Sequence, residues 1–247
     1  MSLVRFYAPQ LEVSSPVMTL DEQTSKHCVQ VLRMREGDSL LLTDGRGLTI
    51  TATIRTPHKR SCEVTLLNPV FEGRQGPEVY IGISPIKNTS RFEWFLEKAT
   101  EIGVTGIIPL LCERTERATF RQERMTSILV SAMLQSQQAW LPELKEPLPL
   151  RSVLEKDEVG RSLGNDPGSD YPPARYIAHC INGVKRSIRD LNNPSNASII
   201  IIGPEGDFTS AEVDNALSRG WLPVTLGETR LRTETAGIVA ATLLRLG

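Results

Sequence analysis

The sequence predicts an α/β protein: a mainly parallel sheet with flanking helices, preceded by a smaller β-rich N-terminal part. Three observations carry this. Short apolar strand-like runs alternate with amphipathic helical segments from Val79 to the end of the chain, the pattern of a parallel sheet. Ser198-Ile199-Ile200-Ile201-Ile202 is β-branched and bounded by Gly203, as expected of a strand buried on both faces. Finally, several short strands lie close together before residue 70, which points to a small barrel.

In that N-terminal part, Ser39–Thr43, Leu48–Ile54 and Cys62–Leu67 read as strands, with Asp44-Gly45-Arg46-Gly47 as the hairpin turn between the first two. Turn-formers cluster over Phe71-Glu72-Gly73-Arg74-Gln75-Gly76-Pro77, which makes this the expected linker. The boundaries that follow are a β-rich domain over residues 1–72 and an α/β domain over 77–247.

The second domain opens with the strand Val79–Ile83. Ser90 and Glu93 have capping-box spacing for a helix whose Phe92, Phe95, Leu96, Ala99 and Ile102 share one face, and Gly103 stops it. A further helix is expected from about Gln122 to Gln138, with Met125, Ile128, Leu129, Ala132 and Met133 inward. Glu155 to Pro173 is rich in charge, Gly, Ser, Asp and Pro and reads as a loop. Tyr176–Cys180 then returns as a strand.

Two loops near the C-terminus hold the candidate chemistry. After the Ile-rich strand, Thr209 is a good N-cap with Glu212 three residues on, and Phe208 can staple onto Val213. That confines the loop to Gly203-Pro204-Glu205-Gly206-Asp207-Phe208. Its glycines can let a ligand approach the backbone, and the N–H groups at the helix start are free donors. An ordinary strand-to-helix turn has the same spacing. The second loop follows the apolar run Leu222–Leu226, starts at Gly227 and leads through Arg230-Leu231-Arg232 to Thr233 and Glu234, which can cap and charge-complement the last helix. Ala236, Gly237, Ile238, Val239, Ala240, Ala241, Leu243 and Leu244 leave that helix no wide polar face, so it must be buried in the domain or against a partner.

Ile202-Gly203-Pro204-Glu205-Gly206, followed about twenty residues on by Leu226-Gly227 and Leu231-Arg232-Thr233-Glu234-Thr235-Ala236, resembles the closing signature of the 16S ribosomal RNA uridine-N3 methyltransferase family of the SPOUT superfamily. Lys98-Ala99-Thr100-Glu101-Ile102-Gly103-Val104 with Ile107-Ile108-Pro109, and Val31-Leu32-Arg33 with Glu36-Gly37-Asp38, resemble further family segments, so the likeness spans nearly the whole chain. Two positions depart from the pattern: Asp207 stands where the family usually has a second Gly, and Gln138 where an Arg is common.

The resemblance implies an N-terminal PUA-like RNA-binding β-barrel and a C-terminal SPOUT domain whose parallel sheet is knotted. It further implies three loops clasping S-adenosylmethionine: Ala178 and His179; Ile202, Gly203, Pro204, Glu205 and Gly206; and Leu226, Gly227, Leu231, Arg232, Thr235 and Ala236. Ile202, Leu226 and Leu231 would sandwich the adenine. The implied reaction moves a methyl group to N3 of a uracil in 16S rRNA of the small ribosomal subunit. Arg232 is the candidate for stabilising charge on the uracil oxygens, and Glu234 for orienting Arg232 or taking the proton; helix-dipole complementation explains Glu234 equally well. Arg5, Arg33 and Arg46 are the candidate RNA contacts, and a homodimer is implied.

Composition sets outer limits. The chain has 247 residues, 40% of them hydrophobic, enough for one large or two modest domains. No apolar run of membrane-spanning length and no signal-peptide pattern occurs, which leads to the expectation of a cytoplasmic protein without a membrane segment. Cys28, Cys62, Cys112 and Cys180 have no metal or redox spacing and are expected to be reduced core thiols; His27, His58 and His179 are as scattered, so no metal is expected. The net charge of -1 is low for a protein that neutralises phosphates. Between Lys26 and Arg60, seven basic residues face three acidic ones, a modest basic surface. No Gly-x-Gly-x-x-Gly or phosphate-loop pattern occurs. Two other readings remain: another SPOUT RNA methyltransferase, acting on a ribose 2′-hydroxyl or on tRNA, and a non-catalytic RNA-binding ribosome-assembly factor.

Overall fold

A computed structural model describes residues 3–116, 120–155, 172–191 and 196–246, and divides the chain into two compact units. Residues 1–74 and 133–141 form the first; residues 75–132 and 142–247 form the second.

The first unit contains β1 (Arg5–Tyr7), β2 (Val17–Thr19), α1 (Glu22–Lys26), β3 (Ser39–Thr43), β4 (Leu48–Thr56) and β5 (Glu63–Phe71), with a π-helical turn at His27–Val31. Its sheet runs in the order β1-β3-β4-β5-β2. Leu40, Leu42, Ile50, Ile54, Cys62 and Val64 point into a single buried cluster, the period-2 burial that alternation predicts. The expected hairpin turn is present: Asp44 Oδ1 accepts from the amides of Arg46 (2.7 Å) and Leu48 (3.1 Å). The three-residue strands β1 and β2 went unforeseen, being too short to show a period. Segment 133–141 belongs to this unit: Arg46 and Trp140 form an isolated antiparallel bridge, Gly47 N donates to the Ala139 carbonyl (3.0 Å), and the Trp140 side-chain Nε1 donates to that of Glu72 (2.7 Å).

In the second unit, β6 (Glu78–Ile83), α2 (Thr89–Ile102), β7 (Gly106–Leu111), α3 (Gln122–Gln135), β8 (Glu143–Leu144), β9 (Leu148–Pro149) and α4 (Leu150–Glu155) come first. They are followed by β10 (Ala174–Ala178), β11 (Arg186–Ser187), β12 (Ala197–Ile202), α5 (Ser210–Ser218), β13 (Leu222–Thr225) and α6 (Thr233–Leu246). The strand order is β11-β13-β10-β12-β6-β7-β8, every pairing is parallel, and β9 adds to β7. The Ile-rich run is central: β12 lies between β6 and β10, and Ser198 to Ile202 are all buried. Each of its isoleucines contributes roughly 1.5–3 kcal/mol by leaving water.

Several local expectations need correction. Helix α2 is capped by Asn88, whose side chain accepts from Ser90 N at 3.1 Å, and not by a Ser90–Glu93 box. Asn88 has the extended backbone that a cap requires, whereas Ser90 already lies inside the first turn and Glu93 pairs with Arg124. Gly103 does stop the helix, in the left-handed region at φ 90°, with its amide bonded to Ala99 and Thr100. Helix α3 ends at Gln135, three residues early, because Gln137 turns left-handed (φ 58°) and the amides of Gln137 and Gln138 fold back onto Leu134 and Met133. Strand β10 stops at Ala178, level with the end of β12, which leaves His179 and Cys180 in the loop beyond. Cys28, Cys62 and Cys112 are buried free thiols, but Cys180 is exposed. Burial pushes the thiols of Cys28 and Cys112 up to about 12, so they stay protonated. The expected loop from Glu155 to Pro173 lies, over 156–171, outside the described residues.

The last helix packs one face on α2, β6 and β12, burying Ala236, Gly237, Ala240 and Ala241, while Ile238, Val239, Leu243 and Leu244 stay half-buried. Gly237 makes that approach possible, since a methyl group there would come within 2.6 Å of the Phe95 ring and 2.9 Å of Ile83 Cδ1. Phe95 and Ile83 are fully buried and cannot step aside. We expect Gly237→Ala to destabilise the protein: overpacking costs about 1–3 kcal/mol, against roughly 1 kcal/mol gained in helix propensity. A denaturation midpoint equal to or above that of the unaltered chain would contradict this packing.

Candidate functional site

The site follows from the register of three strands. Ala178 is the partner of Ile202 on one side and of Val224 on the other, so the C-terminal ends of β10, β12 and β13 lie level. Ligands of open α/β sheets bind beyond such strand ends, where the chain turns into loops. The loops starting at His179, Gly203 and Leu226 surround a cleft of about 640 Å3, within the roughly 300–1,000 Å3 typical of small-molecule sites.

The middle loop is shaped from both ends. Thr209 caps α5, accepting from Glu212 N while the Glu212 carboxylate accepts from Thr209 N (2.8 Å), which is the capping box foreseen from the sequence. Phe208 is fully buried in the same cluster as Val213. At the other end, a methyl group on Gly203 would meet Phe208 N and its ring at 3.1 Å, so the tight turn leaves room for little but glycine. Thr233 Oγ1 donates to the Gly203 carbonyl (3.2 Å), joining the start of α6 to this loop; its hydroxyl does not cap the helix as expected.

Of the residues expected to bind a ligand, Ala178, His179, Ile202, Gly203, Pro204, Glu205, Leu226, Gly227, Leu231, Arg232 and Ala236 line the cleft. Gly206 and Thr235 do not. Gly206 is exposed, and its carbonyl accepts from Arg114 Nη1 at 2.8 Å. Arg232 is exposed at the cleft margin, whereas Glu234 is buried in the first turn of α6 and stands 3.8 Å from Arg91 Nε. Arg91 and Lys185 escaped the sequence reading, while Cys180, Asp207 and Val224, placed in the neighbouring runs and loop, were not expected as ligand contacts. Only Asp207 gave a signal, its departure from a glycine pattern.

His179 is the one histidine in the cleft, and both of its ring nitrogens are buried without a hydrogen-bond partner. Desolvation holds its pKa below the usual histidine value, and Lys185 adds to the shift; Asp207 and the Ile181 backbone oppose it. The ring is thus a neutral imidazole packed into the cleft wall with its nitrogens turned away from solvent. Among the described residues, no group of three or more His, Cys, Asp or Glu could hold a metal ion, and no helix is long and apolar enough to cross a membrane.

In the first unit, Arg33 and Arg46 are exposed. Arg46 also bonds Asp44 and the Pro9 carbonyl. Arg5 is largely buried and engaged, donating to the Gln137 carbonyl at 2.6 Å with Glu72 3.9 Å away.

Comparisons with known proteins agree with this geometry. The family described as RNA methyltransferase domain matches residues 74–245, and the one described as RNA methyltransferase PUA domain matches residues 20–67. A probable rRNA-methyltransferase from Porphyromonas gingivalis is 37% identical, with a TM-score of 0.85 over 98% of both chains. Ribosomal RNA small subunit methyltransferase E from Neisseria gonorrhoeae, solved bound to S-adenosyl methionine, is 29% identical with a TM-score of 0.81, over 98% of this chain and 96% of that one. The Synechocystis sp. protein of the same name is 28% identical over 237 residues, which are 94% of this chain and 74% of the relative.

The His179 shift has a consequence for stability. Its pKa in the folded protein is below the unfolded value of 6.5. The contribution is therefore complete above about pH 6.5 and is lost as pH falls from there through the lowered pKa, where the unfolded chain holds the extra proton. Denaturant titrations at pH 7.5 and 5.5 should show a smaller acid loss for His179→Gln than for the unaltered chain; equal losses would mean that the ring is not desolvated.

Proposed function

Because the chain belongs to the RNA methyltransferase family, we propose that it transfers a methyl group from S-adenosylmethionine to N3 of a uridine in the 16S RNA of the small ribosomal subunit. The cleft carries this reading. Apolar Ile202, Leu226 and Leu231 can enclose an adenine ring, and the backbone of the surrounding loops offers polar partners for its edge. The Neisseria relative bound to S-adenosyl methionine supports the ligand, and the names of the relatives support ribosomal RNA of the small subunit as substrate.

When bound, S-adenosylmethionine supplies an electrophilic methyl group on a positively charged sulfur. The chain must make the uracil nitrogen nucleophilic, because N3 carries a proton and attacks poorly until that proton leaves. Arg232, exposed at the cleft margin, stabilises the negative charge that spreads onto the two flanking carbonyl oxygens, since a guanidinium stays charged and donates aligned hydrogen bonds. Glu234 lies outside the cleft lining. It complements the helix dipole and, with Arg91, holds the first turn of α6, which Arg232 immediately precedes. His179, neutral near pH 7 because its pKa is lowered, is our candidate for the group that receives the proton, with the carboxylates of Glu205 and Glu228 also in the cleft lining.

The N-terminal unit serves as the RNA-binding module. The PUA match over residues 20–67 supports that role, with Arg33 and Arg46 exposed for phosphate contact and Arg5 bracing the unit from within. The target base must leave its stack to enter the cleft. We infer a cytoplasmic homodimer. Size measurement in solution should give twice the 27.4 kDa chain mass, and a clean monomer would argue against a site shared between copies.

The deciding experiment incubates ribosomal subunits with the protein and S-adenosylmethionine and identifies the modified nucleoside. We expect 3-methyluridine, and a product methylated on the ribose would overturn the base-directed reading. Arg232→Ala should keep its melting temperature while losing on the order of 10²- to 10³-fold in turnover. Undiminished turnover would remove Arg232 from the chemistry.

A further inference from the structure

Among the described residues, four non-glycine residues adopt positive φ, Arg33, Asn68, Gln137 and Asp207, and of these only Asp207 lines the cleft. Its φ of 62° is in the left-handed region, which aspartate tolerates better than most residues but which still costs free energy. The turn is closed by Asp207 N donating to the Pro204 carbonyl at 2.9 Å. This conformation aims the carboxylate at two amides. Oδ1 accepts from its neighbour Phe208 N at 2.8 Å, and Oδ2 accepts from Cys180 N at 2.7 Å, 27 residues away on the loop that follows β10.

The same peptide group is gripped at its other end. Lys185 Nζ donates to the His179 carbonyl at 2.7 Å, and that carbonyl and the Cys180 amide belong to one peptide unit. An anion on the N–H and a cation on the C=O align with the peptide dipole and fix the plane of the unit. Hydrogen bonds to charged groups are shorter and stronger than neutral ones. Fixing that plane fixes where the His179 ring and the adjoining wall of the cleft stand.

We propose that Asp207 is a positioning residue for ligand binding: with Lys185 it clamps the His179–Cys180 peptide, so that the cleft wall is preset before the ligand arrives. The ligand half of the proposal rests on the S-adenosylmethionine reading above; the clamp itself does not. Preorganisation of this kind strengthens binding by removing the cost of ordering a loop. It acts on affinity for the small ligand, not on RNA capture.

Asp207→Gly keeps the left-handed backbone without strain and deletes the carboxylate, and with it the contact to Cys180 N and the local one to Phe208 N. Asp207→Asn is the rescue variant, since asparagine tolerates the same φ and its amide oxygen can still accept from Cys180 N. Two readouts apply. Hydrogen exchange at the Cys180 amide, measured without ligand, should be slow in the unaltered chain and in Asp207→Asn, and fast in Asp207→Gly. Calorimetric titration with S-adenosylmethionine should show Asp207→Gly weakened by about tenfold, the loss expected of one hydrogen bond to a charged group. Asp207→Asn should stay within a few-fold of the unaltered chain, and the KM for RNA should not change.

Unchanged exchange at Cys180 in Asp207→Gly would refute the clamp. Fast exchange with undiminished S-adenosylmethionine affinity would refute its positioning role. If Asp207→Asn kept exchange at Cys180 slow yet lost as much affinity as Asp207→Gly, the effect would belong to charge at the ligand and the positioning role would fall. If the unaltered chain gave no heat with S-adenosylmethionine, the ligand reading would fail with the positioning role, while the exchange data would still decide the clamp.

Discussion

The parallel register around β10 is the constraint on which the rest of the second unit depends. Parallel pairing sends every strand in the same direction, so all the loops that follow the strands emerge at one edge of the sheet. The pairing of Ala178 with both Ile202 and Val224 then sets three of those edges level. A slip of one residue in either ladder would turn alternate side chains to the opposite face and move one loop out of reach of the others. The buried isoleucines of β12 make such a slip costly, because each would exchange a packed position for a different one.

Small residues and short hydrogen bonds then convert aligned strand ends into a shaped cleft. Gly203 allows the chain to turn against Phe208, Thr233 fastens the start of the last helix to that turn, and Gly237 lets the same helix settle on Phe95. The charged groups divide by task. Asp207 and Lys185 are spent on a peptide group within the wall, and Glu234 is buried beside Arg91, while Arg232 is presented to solvent at the margin. In the first unit the arginines divide in the same way, Arg5 inside and Arg33 and Arg46 outside. Net charge near neutrality is compatible with RNA chemistry when a few cations are left exposed at the right places.

Most of the fold was legible because local signals and tertiary packing agreed. The Thr209–Glu212 box, the stop at Gly103, the Asp44 hairpin and the double-sided burial of β12 are each written within a few neighbouring residues. Where the reading failed, a competing local group won. Asn88 outbid Ser90 for the cap of α2, and a left-handed Gln137 ended α3 early. The exposed Cys180 was mistaken for core because its strand-like run outlasts the ladder that would have buried it.

By itself the sequence determined the α/β class, the two loops with their glycines and the last helix without a polar face, since periodicity and turn chemistry are short-range properties of the chain. The third loop, at Ala178 and His179, came only from the family resemblance, and the tertiary structure alone decided that it extends to Lys185, that Glu234 turns toward Arg91, and that Asp207 reaches Cys180. Those partners are separated by between 27 and 143 residues. A contact at that range is set by strand register and by which face of a helix is buried, and no local pattern of residues encodes it.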